Sequence, residues 1–368
     1  MQTIDNQGLV KLIKANPDIA YVATATTPWH AIGVVASVLS QGLENKRGIV
    51  LINIHDTYGK PLIDESNFSQ LGNSVEVYIS TRNQNKIKTV VNLLRFTTCA
   101  NSGDRTISVI SARNINLHIA SAIKLNTNGT NVNLIKYDEG LATYFPQGKV
   151  ERNRNIVTKL IRIVDKLFIK LYSIFYKSSN ACLFYQKKDN VTINESIIPY
   201  YKRAIESTSE ESGVENISLF EDSVIICPNA WQRGKVTDNA DTKVVLSILK
   251  HLQSNNIKFV IKLHPRDTWS KDIYKDYLSF IYNTSGVSME TILSSVKTPA
   301  RALIGFSSTV LVTAKLFWDL RVVNIADLVD NTQLGQMYWN EKYYFTKIFG
   351  NYVASPKTLD ELYKLISE

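Results

Sequence analysis

Short apolar runs at residues 20–26, 48–54, 75–80, 106–111 and 132–137 punctuate the first half of the chain. They are rich in Val, Ile and Tyr and too short for helices, and helix-spaced intervals such as residues 84–94 separate several of them. Strand-length runs alternating with helical periods predict a parallel sheet with crossover helices. The pattern restarts after residue 220, with strands expected at 223–227, 258–263, 302–304 and 321–325 and helices at 240–255, 289–295 and 309–318. Two doubly wound α/β halves follow. The stretch at 206–216, ESTSEESGVEN, is polar, acidic and serine-rich and is expected to link them, giving Rossmann-like domains at residues 1–215 and 216–368. The last helix is expected either to stay with the second domain or to pack back on the first. No repeat of fixed period is visible, which sets aside solenoids and propellers. Ligands of such sheets lie outside the carboxyl ends of the strands, so chemistry is to be sought where strands end, in a cleft between the domains.

Composition narrows this picture only modestly. A chain of 368 residues exceeds one ordinary core, and 44% apolar with 20% charged residues is the balance of a folded, soluble protein. Cys99, Cys182 and Cys227 lie far apart with no CxxC pair, so neither a disulfide framework nor a zinc site is expected, as in a reduced cytoplasmic protein. The first residues lack the order of a signal peptide, and no stretch of about 18 apolar residues occurs. The net charge of +9 favours anionic partners without choosing among nucleic acid, a lipid surface and a phosphorylated or carboxylated substrate.

Four strand ends carry candidate chemistry. Asn133-Leu134-Ile135 runs into Asp138-Glu139-Gly140, where a carboxylate can serve as general base or the group can form a solvated turn with Gly140 at positive φ. Phe259-Val260-Ile261 leads to Lys262-Leu263-His264-Pro265-Arg266, where a histidine can donate a proton to a phosphate leaving group or be a satisfied structural residue. Ala302-Leu303-Ile304 leads to Gly305-Phe306-Ser307-Ser308-Thr309, a phosphate cradle at a helix N-terminus or an ordinary serine cap. Ser288-Met289-Glu290 opens a short helix, and Glu290 is either an acceptor for ribose hydroxyls or an acidic first-turn residue complementing the helix dipole. No Gly-Lys-Ser/Thr follows the serines, so this is not a Walker loop.

In this order the set resembles the bacterial sialyltransferases of the GT-B architecture, whose motifs are an acidic pair with glycine, then His-Pro, then a serine pair. Lys262 two residues before His264, and Ser288 with Glu290 between the last two motifs, resemble the CMP-binding set of the multifunctional members. Thr27-Pro28-Trp29-His30 resembles the first loop of the lipooligosaccharide members, with Thr27, Pro28 and His30 as donor or acceptor contacts. The likeness is confined to motifs spread over both domains, and Met289 and the segment holding Asn229 and Trp231 match it loosely, which leaves base contacts and the sugar open. The resemblance implies two Rossmann-like domains facing a central cleft and an inverting transfer of sialic acid from CMP-sialic acid to a capsule or lipooligosaccharide hydroxyl. Asp138 is then the base and Glu139 the fallback base, with His264 as the acid. Lys262, Pro265, Ser288, Glu290, Ser307, Ser308 and Thr309 hold the donor. A single phosphate needs less neutralisation than a diphosphate, and no DxD-type pair is evident, so neither metal nor other cofactor is expected.

Residues 149–177, which open on Lys149 and close on Lys177, read as a basic amphipathic helix with Ile156, Leu160, Ile163, Leu167, Leu171 and Ile174 on one face. Such a helix either lies on the anionic inner face of a membrane, beside a lipid-linked acceptor, or packs in a domain core. Rival functions are transfer of another CMP-activated acid (pseudaminic, legionaminic or Kdo), transfer of a nucleotide hexose, and glycan binding without catalysis. A nucleic-acid partner is not expected, because it leaves the ordered motifs without a purpose.

Overall fold

The computed structural model describes residues 1–54, 59–81, 104–112, 117–127, 130–138, 140, 178–187, 190–211, 215–228, 240–264, 273–282, 287–330 and 336–367. The chain divides into two compact units. The first comprises Met1–Glu139, Glu151–Tyr185 and Ile193–Thr208, and the second Gly140–Val150, Gln186–Thr192 and Ser209–Glu368.

The elements of the first run β1 (Gln2–Ile4), α1 (Asn6–Ala15), β2 (Ile19–Ala25), α2 (Pro28–Ser40), β3 (Arg47–Asn53), β4 (Val75–Ser80), β5 (Arg105–Ala112), α3 (Leu117–Asn126), β6 (Thr130–Tyr137) and β7 (Ser178–Asn180). Next come β8 (Phe184–Lys187) and β9 (Asn190–Ile193), which pair with each other, and α4 (Ile198–Glu211). The seven strands β1 to β7 form one parallel sheet in the order β1-β4-β3-β2-β5-β6-β7. From β2 the chain adds β3 and β4 on one side and then β5, β6 and β7 on the other, while β1 edges the sheet beyond β4, so the order reverses between β2 and β5, as in a Rossmann fold.

Alternation along each strand sends Val22, Ile49, Leu51, Val109 and Leu134 to one face, where Leu9 and Ile13 of α1 and Ile119 and Ile123 of α3 cover them. Tyr137 points to the opposite face and is buried under α2, its hydroxyl donating to the Thr24 carbonyl at 2.5 Å. Gly33 makes this approach possible, since a Cβ there would lie 2.5 Å from the Tyr137 ring.

The second unit contains β10 (Val224–Cys227), α5 (Ala240–Ser254), β11 (Phe259–Lys262), β12 (Ile281–Tyr282), α6 (Met289–Ser295), β13 (Ala302–Gly305), α7 (Thr309–Trp318), β14 (Val322–Asn324), α8 (Gln336–Phe349) and α9 (Leu359–Ser367). Its five strands are again parallel, in the order β12-β11-β10-β13-β14, with the reversal between β10 and β13. Val224, Ile226, Ile261, Ile304 and Val323 meet Val245, Ile248, Leu249 and Leu252 of α5 and Leu362 and Ile366 of α9 in one core. The last helix is therefore a core element of this unit. Each unit has the strand order of a doubly wound domain, the architecture of GT-B chains.

One expectation changes. The segment at 206–216 is helical as far as Glu211, because Tyr201, Ala204, Ile205 and Thr208 are buried at helical spacing and carry α4 into the polar stretch. The interval at 84–94 and the basic segment from Lys149 to Lys177 lie outside the described residues. Among the described residues no helix is long and apolar enough to cross a membrane.

Gly33→Ala is expected to destabilise the first unit by about 1–3 kcal/mol through overpacking against Tyr137. A urea-denaturation midpoint equal to that of the parent chain would show that the ring yields instead.

Candidate active site

The second sheet ends in a polar rung. Register pairs Cys227 of β10 with Gly305 of β13, and Gly305 with Asn324 of β14, while on the other side of β10 Ile226 pairs with Ile261, one residue before Lys262. Alternation turns Cys227, Lys262, Gly305 and Asn324 away from the α5/α9 core. Lys262 is buried, and its Nζ donates to the Leu263 carbonyl at 3.3 Å. Burial holds its ammonium below the usual lysine range, against the pull of Cys227 and Glu290. The Cys227 thiol is pushed up to about 12 by the same burial, so it stays protonated and is no nucleophile.

Glu290, in the first turn of α6, belongs to this group. It is buried, its Oε1 accepts the Thr313 hydroxyl of α7 at 2.9 Å, and the Ser288 side chain also bonds to it. Burial raises its carboxyl above the ordinary 4.5, opposed by those hydrogen bonds and by Lys262. Ser288 caps α6, its Oγ accepting Thr291 N–H at 3.0 Å. Lys262, Ser288 and Glu290 are thus brought together, with Thr313 as a partner that its place in an apolar helix had hidden.

Beyond β13 the chain makes a tight turn. Ser307 adopts a left-handed conformation with φ 43°, and its N–H donates to Asn324 Oδ1 at 2.9 Å. The same Oδ1 accepts Ala326 N–H at 3.2 Å. Ser308 is the N-cap of α7, yet its side chain makes no capping bond. Among the described residues, Ser308 thus puts no side-chain cap on the helix N-terminus, an arrangement compatible with an anion there. Gly140, counted with this unit, has φ 132°, and a Cβ on it would lie 3.5 Å from Thr309 Oγ1. His264 follows β11 at the same edge of the sheet and is exposed.

In the first unit Thr27 caps α2 by accepting His30 N–H at 3.3 Å, with Pro28 at the first helical position. The His30 ring stands edge-on to Tyr137 at 5.7 Å, and Trp29 meets Tyr201 of α4 at 5.6 Å. Asp138 is fully buried, and its Oδ2 accepts both the Leu183 and the Phe184 N–H groups. The fully buried Tyr201 hydroxyl is driven well above the usual tyrosine value by burial first and by the Asp138 charge second. Glu139, Pro265, Asn229 and Trp231 lie outside the described residues. Asn324 escaped the sequence reading because a single Asn closing a predicted strand has no motif, although its polarity at a buried strand end was a signal.

The sequence profile of the alpha-2,8-polysialyltransferase family matches residues 22–326. No curated protein matches the chain. Among solved structures the chain is similar to an alpha/beta-galactoside alpha-2,3-sialyltransferase from Photobacterium phosphoreum, with 15% identity, TM-score 0.46, and 96% of this chain and 98% of that one covered. It is also similar to the GT-B domain of a sialyltransferase from Photobacterium damselae, with 11% identity, TM-score 0.43, and coverage of 92% and 100%. A UDP-GlcNAc 2-epimerase from Methanocaldococcus jannaschii gives 11% identity, TM-score 0.47, and coverage of 95% and 92%.

The Glu290 shift has a stability consequence. Above 4.5 the unfolded chain releases a proton that the folded chain retains, so stability falls as pH rises, until the folded carboxyl itself ionises. Glu290→Gln is expected to flatten this decline in urea titrations run from about pH 5 to 8. An unchanged slope in the variant would assign the pH dependence to other groups.

Proposed function

The chain belongs to the alpha-2,8-polysialyltransferase family, and on that premise we propose that it extends a sialylated glycan by an inverting, metal-independent transfer from CMP-sialic acid. As a member it is a glycosyltransferase that uses CMP-sialic acid. The linkage, the stereochemical course and the surface glycan as acceptor, in a capsule or a lipooligosaccharide, are our reading. The observation that carries it is the open turn at Ser307-Ser308, placed where the strand order of the second sheet reverses. A helix N-terminus without a side-chain cap at that position suits a single phosphate.

In this reading Ser307, Ser308 and Thr309 receive the CMP phosphate, and the positive charge of Lys262 raises the potential beneath it, which favours the anion. Ser288 and Glu290 face the ribose, Glu290 through the carboxylate lone pairs that Thr313 leaves unused. The acceptor oxygen forms a bond to the anomeric carbon as the bond to the phosphate oxygen breaks, the acceptor proton passes to a carboxylate, and CMP departs. His264 is exposed at the strand end, and it donates a proton or a charged hydrogen bond to the departing phosphate. Pro265 is assigned to the donor side. Thr27, Pro28 and His30 are assigned to the acceptor side.

Within the acidic pair the hydrogen bonds favour a division of labour. An Asp138 oxygen that takes two backbone N–H groups is committed to bracing the 183–184 segment. Neighbours at a strand end point apart, so we give proton acceptance to Glu139 and the bracing role to Asp138, reversing the order that the family likeness implied. The positive charge of residues 149–177 would suit an acceptor at an anionic surface.

The purified chain is expected to lengthen a sialylated primer with CMP-sialic acid in the presence of EDTA. A strict divalent-cation requirement would refute the metal-free course, and preference for another CMP-activated acid in a donor panel would refute the sugar assignment. His264→Ala should lower turnover by about 10²–10⁴ with folding intact. Glu139→Gln is expected to match that loss, whereas Asp138→Ala should chiefly lower stability, by about 1–3 kcal/mol or more. Full turnover in a folded Glu139→Gln chain would return the base to Asp138.

A further inference from the structure

The turn after β13 holds two buried polar groups that the fold does not use. Asn324 is fully buried, and its amide orientation is set by chemistry, because an oxygen must accept the Ser307 and Ala326 N–H groups. Its Nδ2 is thereby fixed on the other branch of the amide. Among the described residues neither Asn324 Nδ2 nor Ser307 Oγ has a hydrogen-bond partner, although both are buried. An unmade hydrogen bond of this kind costs on the order of 1–3 kcal/mol, and two of them in one turn, beside a left-handed serine and an uncapped helix N-terminus, mark a site shaped for something absent. Both groups offer hydrogens rather than demand them: an amide nitrogen donates only, and a hydroxyl can donate. Their complement is an acceptor-rich group such as a phosphate oxygen.

We infer that Asn324 belongs to the donor site. Its Oδ1 holds Ser307 in the left-handed turn, and its Nδ2, with the Ser307 hydroxyl, supplies preformed donors to the phosphate of a nucleoside monophosphate. The inference rests on the proposed function for the identity of that ligand and extends it by a residue from β14, a strand that carries none of the sequence motifs. The backbone of Asn324 is itself anchored, its N–H donating to the Ala354 carbonyl at 2.8 Å, so the amide stands on a fixed base.

Asn324→Asp separates the two duties, since a carboxylate still accepts the Ser307 and Ala326 N–H groups but lacks the Nδ2 donor and adds a negative charge. Calorimetric titration of the full chain with CMP and with cytidine reads the phosphate contribution as the ratio of the two affinities. The variant is expected to lose about tenfold or more of that ratio while cytidine affinity holds. An unchanged ratio, or equal losses for both ligands, would overturn the role of Asn324. A parent chain that fails to prefer CMP over cytidine would instead overturn the phosphate site itself. Should the variant not fold, the parent chain labelled with 15N-asparagine gives an independent reading. The Asn324 side-chain amide resonances are expected to shift with CMP and with inorganic phosphate but not with cytidine, and resonances that stay in place on adding CMP would refute the contact.

Discussion

Taking an ammonium and a carboxylate out of water is the constraint around which the second unit is arranged. Removing either ion from water costs several kcal/mol, on the order of what a whole domain has to spare. Burial pushes Lys262 and Glu290 toward their neutral forms, and the groups that converge on them oppose that push. Thr313 and Ser288 bond to the carboxylate, the first turn of α6 directs its dipole at it, and each ion feels the other. These partners come from β11, α6 and α7, so a stretch of otherwise apolar packing is held to one arrangement by a few polar contacts. Such pairs seldom raise stability over a well-packed apolar alternative. Their value here is electrostatic. On the proposed reading, a charge in a poorly screened place would act strongly on a phosphate at the strand ends, with no reorganisation needed when that phosphate becomes a leaving group.

The turn that follows β13 obeys the same logic with neutral groups. Serine is an unusual choice for a left-handed residue, and here Asn324 stabilises that conformation by accepting the Ser307 N–H. The second serine sits where a capping hydroxyl is expected and does not cap. Local stability is given up at both positions, and the donors so released point to an anionic guest.

Much of this was legible in the chain itself. The strands that build the two sheet centres are apolar on both faces, so their runs stand out, and β4, α6 and α7 fall on the residues expected. The short edge strands β1 and β12 were invisible, since runs of three and two residues leave no periodic trace. The stretch at 206–216 reads as a linker by composition and the division between the units falls in it, yet the burial of Tyr201, Ala204, Ile205 and Thr208 carries a helix into it as far as Glu211. The same distinction applies to the site. Motifs named Lys262, His264, Ser307 and Ser308, but sequence spacing holds no record of which carboxylate faces inward, and Asp138 is bound to amides 45 and 46 residues further along. Thr313 and Asn324 act through tertiary neighbours and have no signature of their own.

The Ala354 contact gives the molecule an order of assembly. Asn324 closes the edge of its sheet against a segment made thirty residues later, with Val323 bridged to Ala354 and the Ala354 N–H returning to Val322. A chain emerging from the ribosome can complete the first parallel sheet early, as N-terminal domains do. The strand that carries Asn324 has no outer partner until residue 354 has been made and has left the tunnel. If Asn324 holds a nucleotide phosphate as inferred, that contact is among the last the nascent chain acquires, and an incomplete product held on the ribosome would fold its first sheet without it.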